Sequence, residues 1–202
     1  MPHRLLGLFV CATVATVTVL AQEWTPAGSR KGIELAFKDD TALDAREMRA
    51  IAELPYDSAR ITAIVCDFTQ TLDPDVREAT IMSGDLAGAY VIYLRYAPRY
   101  MVVAARDVVI GVQRQANGCS WSERTGLMAE RSGTVRMPLL RGSWIVEPVQ
   151  KDRSRVVYQI AVKPGGRIPG WLVRRGATSA LPDVIERVTR CLSKISAPNE
   201  RC

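Results

Sequence analysis

The sequence predicts an α+β domain in which a strongly curved antiparallel β-sheet wraps around a long C-terminal α-helix. Three observations predict it: two strand-like segments and an apolar helix come first, a run of strand-like segments separated by turn residues follows, and an amphipathic stripe closes the chain. A sheet of this kind buries the stripe without a second sheet and leaves an interior space, an internal hydrophobic cavity. The 202 residues suffice for one domain with a substantial core and hardly for two. At 48% apolar and 24% charged residues, the composition is that of an ordinary folded, soluble protein.

The chain opens with Met1-Pro2-His3-Arg4 and an apolar run over residues 5–21, with Val19-Leu20-Ala21 as a small-residue cleavage site. This predicts a secretory signal peptide over residues 1–21, hence an exported, periplasmic or secreted protein. As a retained anchor the run would be short against the roughly 20 apolar residues of a spanning helix. Phe9-Val10 ahead of Cys11 does not suit a lipoprotein signal. The excess of 27 basic over 21 acidic side chains is mild, and outside the cytoplasm it favours transient contact with an anionic membrane surface and disfavours nucleic acid. The mature chain keeps Cys66, Cys119, Cys191 and Cys202, an even set that permits one or two bridges. Their pairing stays open, and a buried free thiol suits the apolar helix face around Cys66 at least as well.

A Pro/Gly/Ser-containing lead-in over residues 24–30 precedes a strand at 31–37, a charged turn at Lys38-Asp39-Asp40 and a second strand at 46–54. Pro55-Tyr56-Asp57-Ser58 then supplies an N-cap for a helix whose apolar face is Ile61, Ile64, Val65, Phe68 and Leu72. Strand-like segments follow at 77–82, 90–96, 101–114, 120–128, 134–149 and 155–162, separated by turn chemistry such as Ser83-Gly84-Asp85, Asn117-Gly118 and Ser132-Gly133. The final helix carries Leu181, Val184, Ile185, Val188, Leu192 and Ile195, and Pro182 predicts a kink there or a restart capped by Ser179.

Several segments in order resemble the START lipid-transfer family: Arg106-Asp107-Val108-Val109, Gly142-Ser143-Trp144, Ser154-Arg155-Val156-Val157-Tyr158, and Gly165-Gly166-Arg167-Ile168-Pro169-Gly170-Trp171-Leu172. The similarity spans roughly residues 24–195, within a domain placed at 24–197 with a tail at 198–202. It implies the helix-grip fold, and a monomeric carrier of a lipid, sterol or other apolar molecule in a tunnel beneath the C-terminal helix. Two departures stand out: residues 97–105 differ from the Pro-Trp-Pro segment of bacterial relatives, and no carboxylate occurs from Tyr90 to Ala105 to pair with Arg106 as in some sterol-binding members.

Strand alternation puts Arg106 on a face with Val102, Ala104, Val108, Ile110 and Val112, where a charge needs a partner. One reading aims its guanidinium at a ligand headgroup. The other gives it a structural ion pair with Asp67, Glu78 or Asp85, or a bulge that turns it outward. Trp144, Tyr158, Trp171 and Leu172 match family positions and are candidates for lining the ligand site, with Trp171 the better candidate for a packing anchor. Arg167, Arg174, Arg175, Arg187 and Arg190 read as a solvated helix face or as contacts to anionic headgroups.

The sole histidine, His3, lies in the leader, so the mature chain has no Ser-His or Cys-His arrangement. Metal, cofactor and phosphate-loop motifs are missing. With the lipid binding that the resemblance implies, these absences predict a non-enzymatic binder without cofactor. Its rivals are a cyclase/aromatase-like enzyme of the same superfamily and an interaction module whose interior is filled by side chains such as Met48, Met82, Met101, Met128 and Met137.

Overall fold

The computed structural model describes residues 23–70, 73–98, 104–168 and 170–195, with the backbone alone over 170–179. The elements run β1 (Thr25–Arg30), β2 (Ile33–Asp40), β3 (Ala45–Leu54), α1 (Ser58–Val65), a 3-10 turn (Phe68–Gln70), β4 (Val76–Gly84), β5 (Ala89–Tyr96), β6 (Ala105–Gln115), β7 (Gly118–Glu123), β8 (Thr134–Arg136), β9 (Leu139–Gln150), β10 (Arg153–Lys163) and α2 (Gly170–Lys194). They build one curved, unclosed sheet in the order β1-β2-β3-β10-β9-β7-β6-β5-β4, antiparallel along that path, with β8 added parallel to β6. The chain leaves β3 in mid-sheet, crosses through α1 to the far edge at β4, and meanders back until β10 pairs with β3.

Alternation along each strand sends one set of side chains to the concave face. Ala50 and Ala52 of β3, Val156 and Tyr158 of β10, Trp144 and Val146 of β9, Trp121 of β7, Val108 and Ile110 of β6, and Ile92 and Leu94 of β5 share one buried cluster. Ile61, Ile64 and Val65 of α1 and Leu181, Ile185, Val188 and Leu192 of α2 complete it. Fully burying side chains of this size stabilises by about 1.5–3 kcal/mol each, which is what holds α2 against the sheet. This is the helix-grip architecture that the sequence predicts.

The differences are local and have physical causes. β1 occupies the expected lead-in: all six residues are exposed, so it carries no hydrophobic alternation and is held by its backbone ladder to β2. Asp57 caps α1 by accepting from the Arg60 N–H at 2.9 Å, but the helix ends at Val65. Beyond it the Asp67 carboxylate accepts from the Thr69 N–H at 2.9 Å and from Gln70 Nε2 at 3.1 Å, tightening the chain into the 3-10 turn, while Leu72 lies outside the described residues. The strand expected over 134–149 divides into β8 and β9 at Met137-Pro138, where proline offers no N–H to the ladder. Strand β7 ends at Glu123, five residues short of the expected 128. Helix α2 runs through Pro182 without interruption, so Ser179 is not its cap.

Cys66, at the end of α1, is bridged to Cys119 of β7 with their Cα atoms 5.8 Å apart. The bridge corrects the free-thiol reading: the face around Cys66 is apolar, yet the end of α1 lies directly over β7. Cys191 is also disulfide-bonded, to a partner outside the described residues.

Candidate functional site

Arg106 is 8% exposed and shares the concave face with Val108, Ile110 and Val112, directly across the β5–β6 ladder from Tyr96. None of the expected carboxylates pairs with it. Its Nε donates to the Pro164 carbonyl and its Nη2 to the Gly165 carbonyl, both at 3.4 Å, while Nη1 donates to the Ala104 carbonyl. Glu78 is taken by Arg131 at 2.8 Å, and Asp67 holds the turn after α1. Burial lowers the Arg106 pKa from its usual value. The side chain thus ties the start of β6 to the loop that leads into α2. That loop turns through Gly165 and Gly166 at φ of 70° and 67°, and a Cβ on Gly165 would lie 2.8 Å from the Arg136 carbonyl.

Asp107 points to the opposite face and is fully buried. Arg136 grips it bidentately, Nε to Oδ1 at 2.8 Å and Nη2 to Oδ2 at 3.1 Å, and the Tyr93 hydroxyl donates to Oδ2 at 3.2 Å. Burial alone would raise this carboxyl, but the hydrogen bonds and charge of Arg136, with Tyr93, outweigh it and hold the pKa below the usual carboxylate value. Arg131 lies 4.7 Å over the Tyr93 ring. The Arg-Asp motif therefore has two separate duties: Arg106 secures the entry to α2, and Asp107 anchors β8 to the outer face.

Three aromatic rings form a ladder on the concave face, and a fourth, Phe68 of the 3-10 turn, packs against it. Trp144 and Tyr158, paired across β9 and β10, have ring centroids 4.3 Å apart; Trp121 stacks 6.0 Å from Tyr158, and Phe68 meets Trp121 edge-on at 5.1 Å. Gly142 makes room for this ladder, because a Cβ there would lie 2.5 Å from the Trp121 indole and 2.2 Å from the Gln159 carbonyl oxygen. The glycine of the Gly-x-Trp strand is thereby explained. On the other side of Tyr158 the facing residue of β3 is only Ala50. Both Trp144 and Tyr158 are largely buried, at 4% and 8% exposure.

The same interior holds a few polar groups. Burial raises the phenols of Tyr96 and Tyr158, and the charge of Asp73 raises both further, so each stays a neutral hydrogen-bond donor at neutral pH. Tyr90, pushed up to about 12 chiefly by burial, is already satisfied: its hydroxyl donates to the Cys66 carbonyl at 2.8 Å and accepts from the Phe68 N–H at 3.1 Å. Arg187 is half-buried: its Nε is sealed from solvent without a partner among the described residues, and its charge, like that of Asp73, acts on Tyr158. Arg167 and Arg190 are exposed, as expected of a solvated surface. The side chains of Trp171, Leu172, Arg174 and Arg175 lie outside the described residues.

Tyr96, Trp121 and Phe68 were within reach of the sequence. Tyr96 has the parity of Ile92 and Leu94 on β5, and Phe68 belongs to the apolar helix pattern. Asp73 sits in an irregular connection and gives no periodic signal. No group of three or more potential metal ligands occurs among the described residues, and no described helix is long and apolar enough to cross a membrane.

Comparison with known proteins agrees with this architecture. The chain is 26% identical over 160 residues to an uncharacterised protein of Pseudomonas aeruginosa, covering 76% of this chain and 78% of that one. Over 63 residues it is 32% identical to human phosphatidylcholine transfer protein, 31% of this chain and 29% of the other. Among solved structures, a STAR-related lipid transfer protein fragment from Xanthomonas axonopodis superposes with a TM-score of 0.70 at 22% identity, covering 84% of this chain and 98% of that one. Human StAR-related lipid transfer protein 5 gives a TM-score of 0.75 at 13% identity, covering 85% and 86% of the two chains. The model of the START domain matches residues 11–197, a range that takes in all of the helix-grip described above, and the chain belongs to that family.

Proposed function

We propose that the mature chain is a non-enzymatic lipid carrier that holds one lipid or other apolar small molecule in a cavity between the concave face of the sheet and α2, outside the cytoplasm. The observation that carries this reading is the concave face itself: an apolar surface with an aromatic ladder at its centre and small alanines facing it from β3, closed by a helix whose entry loop is tied down by one arginine. Surfaces of this composition bind apolar ligands, with a few polar groups fixing orientation. Trp144 and Tyr158 line the ligand site at its centre. Membership of the START family supports the ligand class.

Export is supported by the leader-like run over residues 5–21 and by the Cys66–Cys119 bridge, which an oxidising compartment maintains. Expression of the full-length chain with its own N-terminus, followed by N-terminal sequencing of the exported form, tests this. A mature end within a residue or two of Gln22 is expected, and a full-length product that stays cytoplasmic overturns it. The cyclase alternative has a fold relative in the Zhui aromatase/cyclase from Streptomyces, with a TM-score of 0.51 at 10% identity. The chemistry of this interior points away from it. Tyr96 and Tyr158 have pKa values moved away from neutrality, the wrong direction for a general base. Ligand recovered chemically unaltered after long incubation is the result expected of a carrier.

A further inference from the structure

The seam between α2 and the β2–β3 end of the sheet is bridged by charge. Strands β1 and β2 turn back at Lys31-Gly32, with φ of 53° and 77°, and the tip of this hairpin reaches the flank of α2. Arg30 Nη2 lies 2.9 Å from Asp183 Oδ1 and 3.8 Å from Glu186 Oε1, and Lys31 Nζ lies 2.9 Å from the same Oε1. Beneath the tip an open groove of about 890 Å³ separates α2 from the start of β2 and the end of β3. Its rim is polar, but four of its lining residues, Ile33, Ala52, Leu54 and Ile185, belong to the buried cluster of the concave interior. The groove is therefore continuous with that cluster, and its size is that of a ligand pocket.

Of the two walls, the hairpin is the one free to move. β1 has every side chain exposed and pairs with β2 alone, so the side-chain bonds that hold the tip to α2 are ion pairs at the surface, each weak in water. Helix α2 is fixed at both ends: Arg106 ties its entry loop, and Arg60 of α1 donates to the Leu192 and Ile195 carbonyls at its C-terminal end. We propose that this groove is the passage through which the apolar chain of the ligand reaches the interior, and that the β1–β2 tip is its gate, latched by Arg30 and Lys31 to Asp183 and Glu186. This deepens the carrier reading and rests on it. The occupant is an apolar chain because the floor is apolar and runs into the concave cluster, whereas the charges of the tip pair across it. Such a gate sets how fast a ligand enters and leaves, not how tightly it is held, since the latch makes the same contacts in the empty and the loaded protein.

Stopped-flow uptake and release of two fluorescent probes, cis-parinaric acid and an NBD-labelled phosphatidylcholine, by the purified, delipidated protein test the gate. In the wild type, uptake is expected to speed up about three- to tenfold as NaCl rises from about 20 mM to about 500 mM, because salt screens exposed pairs. The double variant Arg30→Gln, Lys31→Gln starts at the fast rate and loses the salt dependence, with release accelerated by the same factor. A short bismaleimide linker between Lys31→Cys and Glu186→Cys holds the tip shut and slows uptake by about tenfold or more against the same variant before linking. The linked protein carries the test should the Gln variant fail to fold. Wild-type rates in the Gln variant, or uptake as fast after linking as before, overturns the gate and leaves the carrier reading standing. Uptake of neither probe by the wild type overturns both.

Discussion

The indole of Trp121 occupies the space that a side chain at position 142 would need, with Cζ2 lying 2.5 Å from where a Cβ on Gly142 would sit. The Gln159 carbonyl oxygen closes the other side at 2.2 Å, so the strain of a larger residue falls on the main chain of β10 and not only on a movable ring. Gly142→Ala is expected to destabilise by about 3 kcal/mol, the upper part of the overpacking range. For a domain of this size that lowers Tm by roughly 6–12 °C. Thermal unfolding followed by circular dichroism measures it. Shrinking Trp121 in the same chain does not recover the loss, because the carbonyl remains, and full recovery would show that the indole alone sets the constraint.

Asp107 carries a pH prediction with a definite sign. Its folded pKa is held below the unfolded value, so its ion pair contributes stability that is present above the unfolded carboxylate pKa and is lost as pH falls through the folded one. Arg136→Met leaves a fully buried carboxylate with only the hydroxyls of Tyr93 and Thr134 beside it and is expected to cost about 3–5 kcal/mol at neutral pH. In that variant the carboxyl titrates higher, and part of the loss disappears on acidification because the protonated form is cheaper to bury. A pH series of urea unfolding curves on both proteins reads the effect. Parallel pH profiles for wild type and variant contradict the assignment.

The Cys66–Cys119 bridge closes a span of 53 residues between α1 and β7. Loop-closure entropy for that span is worth about 4 kcal/mol. The double variant Cys66→Ala, Cys119→Ala should lose stability on that scale in urea unfolding. Titration of denatured, unreduced wild type should find neither of these thiols free.

How much of this was legible in the sequence depended on whether a feature left a periodic trace. The α2 stripe from Leu181 to Ile195 and the inward residues of β5, β6, β9 and β10 follow helix and strand periods and were readable. β1 was not, since a strand with every side chain exposed has no alternation to read. Arg106 reads in sequence as a charge on an apolar face, but its partners are backbone carbonyls of Ala104, Pro164 and Gly165, and a carbonyl leaves no mark in sequence. Arg187 lies one position outside the stripe, beside Val188, where burial is decided by what the sheet places opposite and periodicity is silent.

The tie between Arg106 and the loop before α2 predicts a dynamic effect. Arg106→Met removes the donors that hold the Pro164 and Gly165 carbonyls. Amide hydrogen exchange over residues 164–168 should then speed up relative to the β9–β10 ladder, which shares none of these bonds, and release of bound ligand should speed up with it. Unchanged exchange in that loop would mean that packing, and not the guanidinium, holds the entry to α2.

Native mass spectrometry of the purified mature domain, followed by organic extraction, shows whether the concave face holds a ligand. A carrier gives a stoichiometric adduct that extracts as an apolar or amphiphilic molecule, or one that forms on incubation with fatty acids, phospholipids or sterols. A clean apo mass that persists after incubation with all three would contradict the carrier reading and leave a helix-grip whose interior is filled by its own side chains.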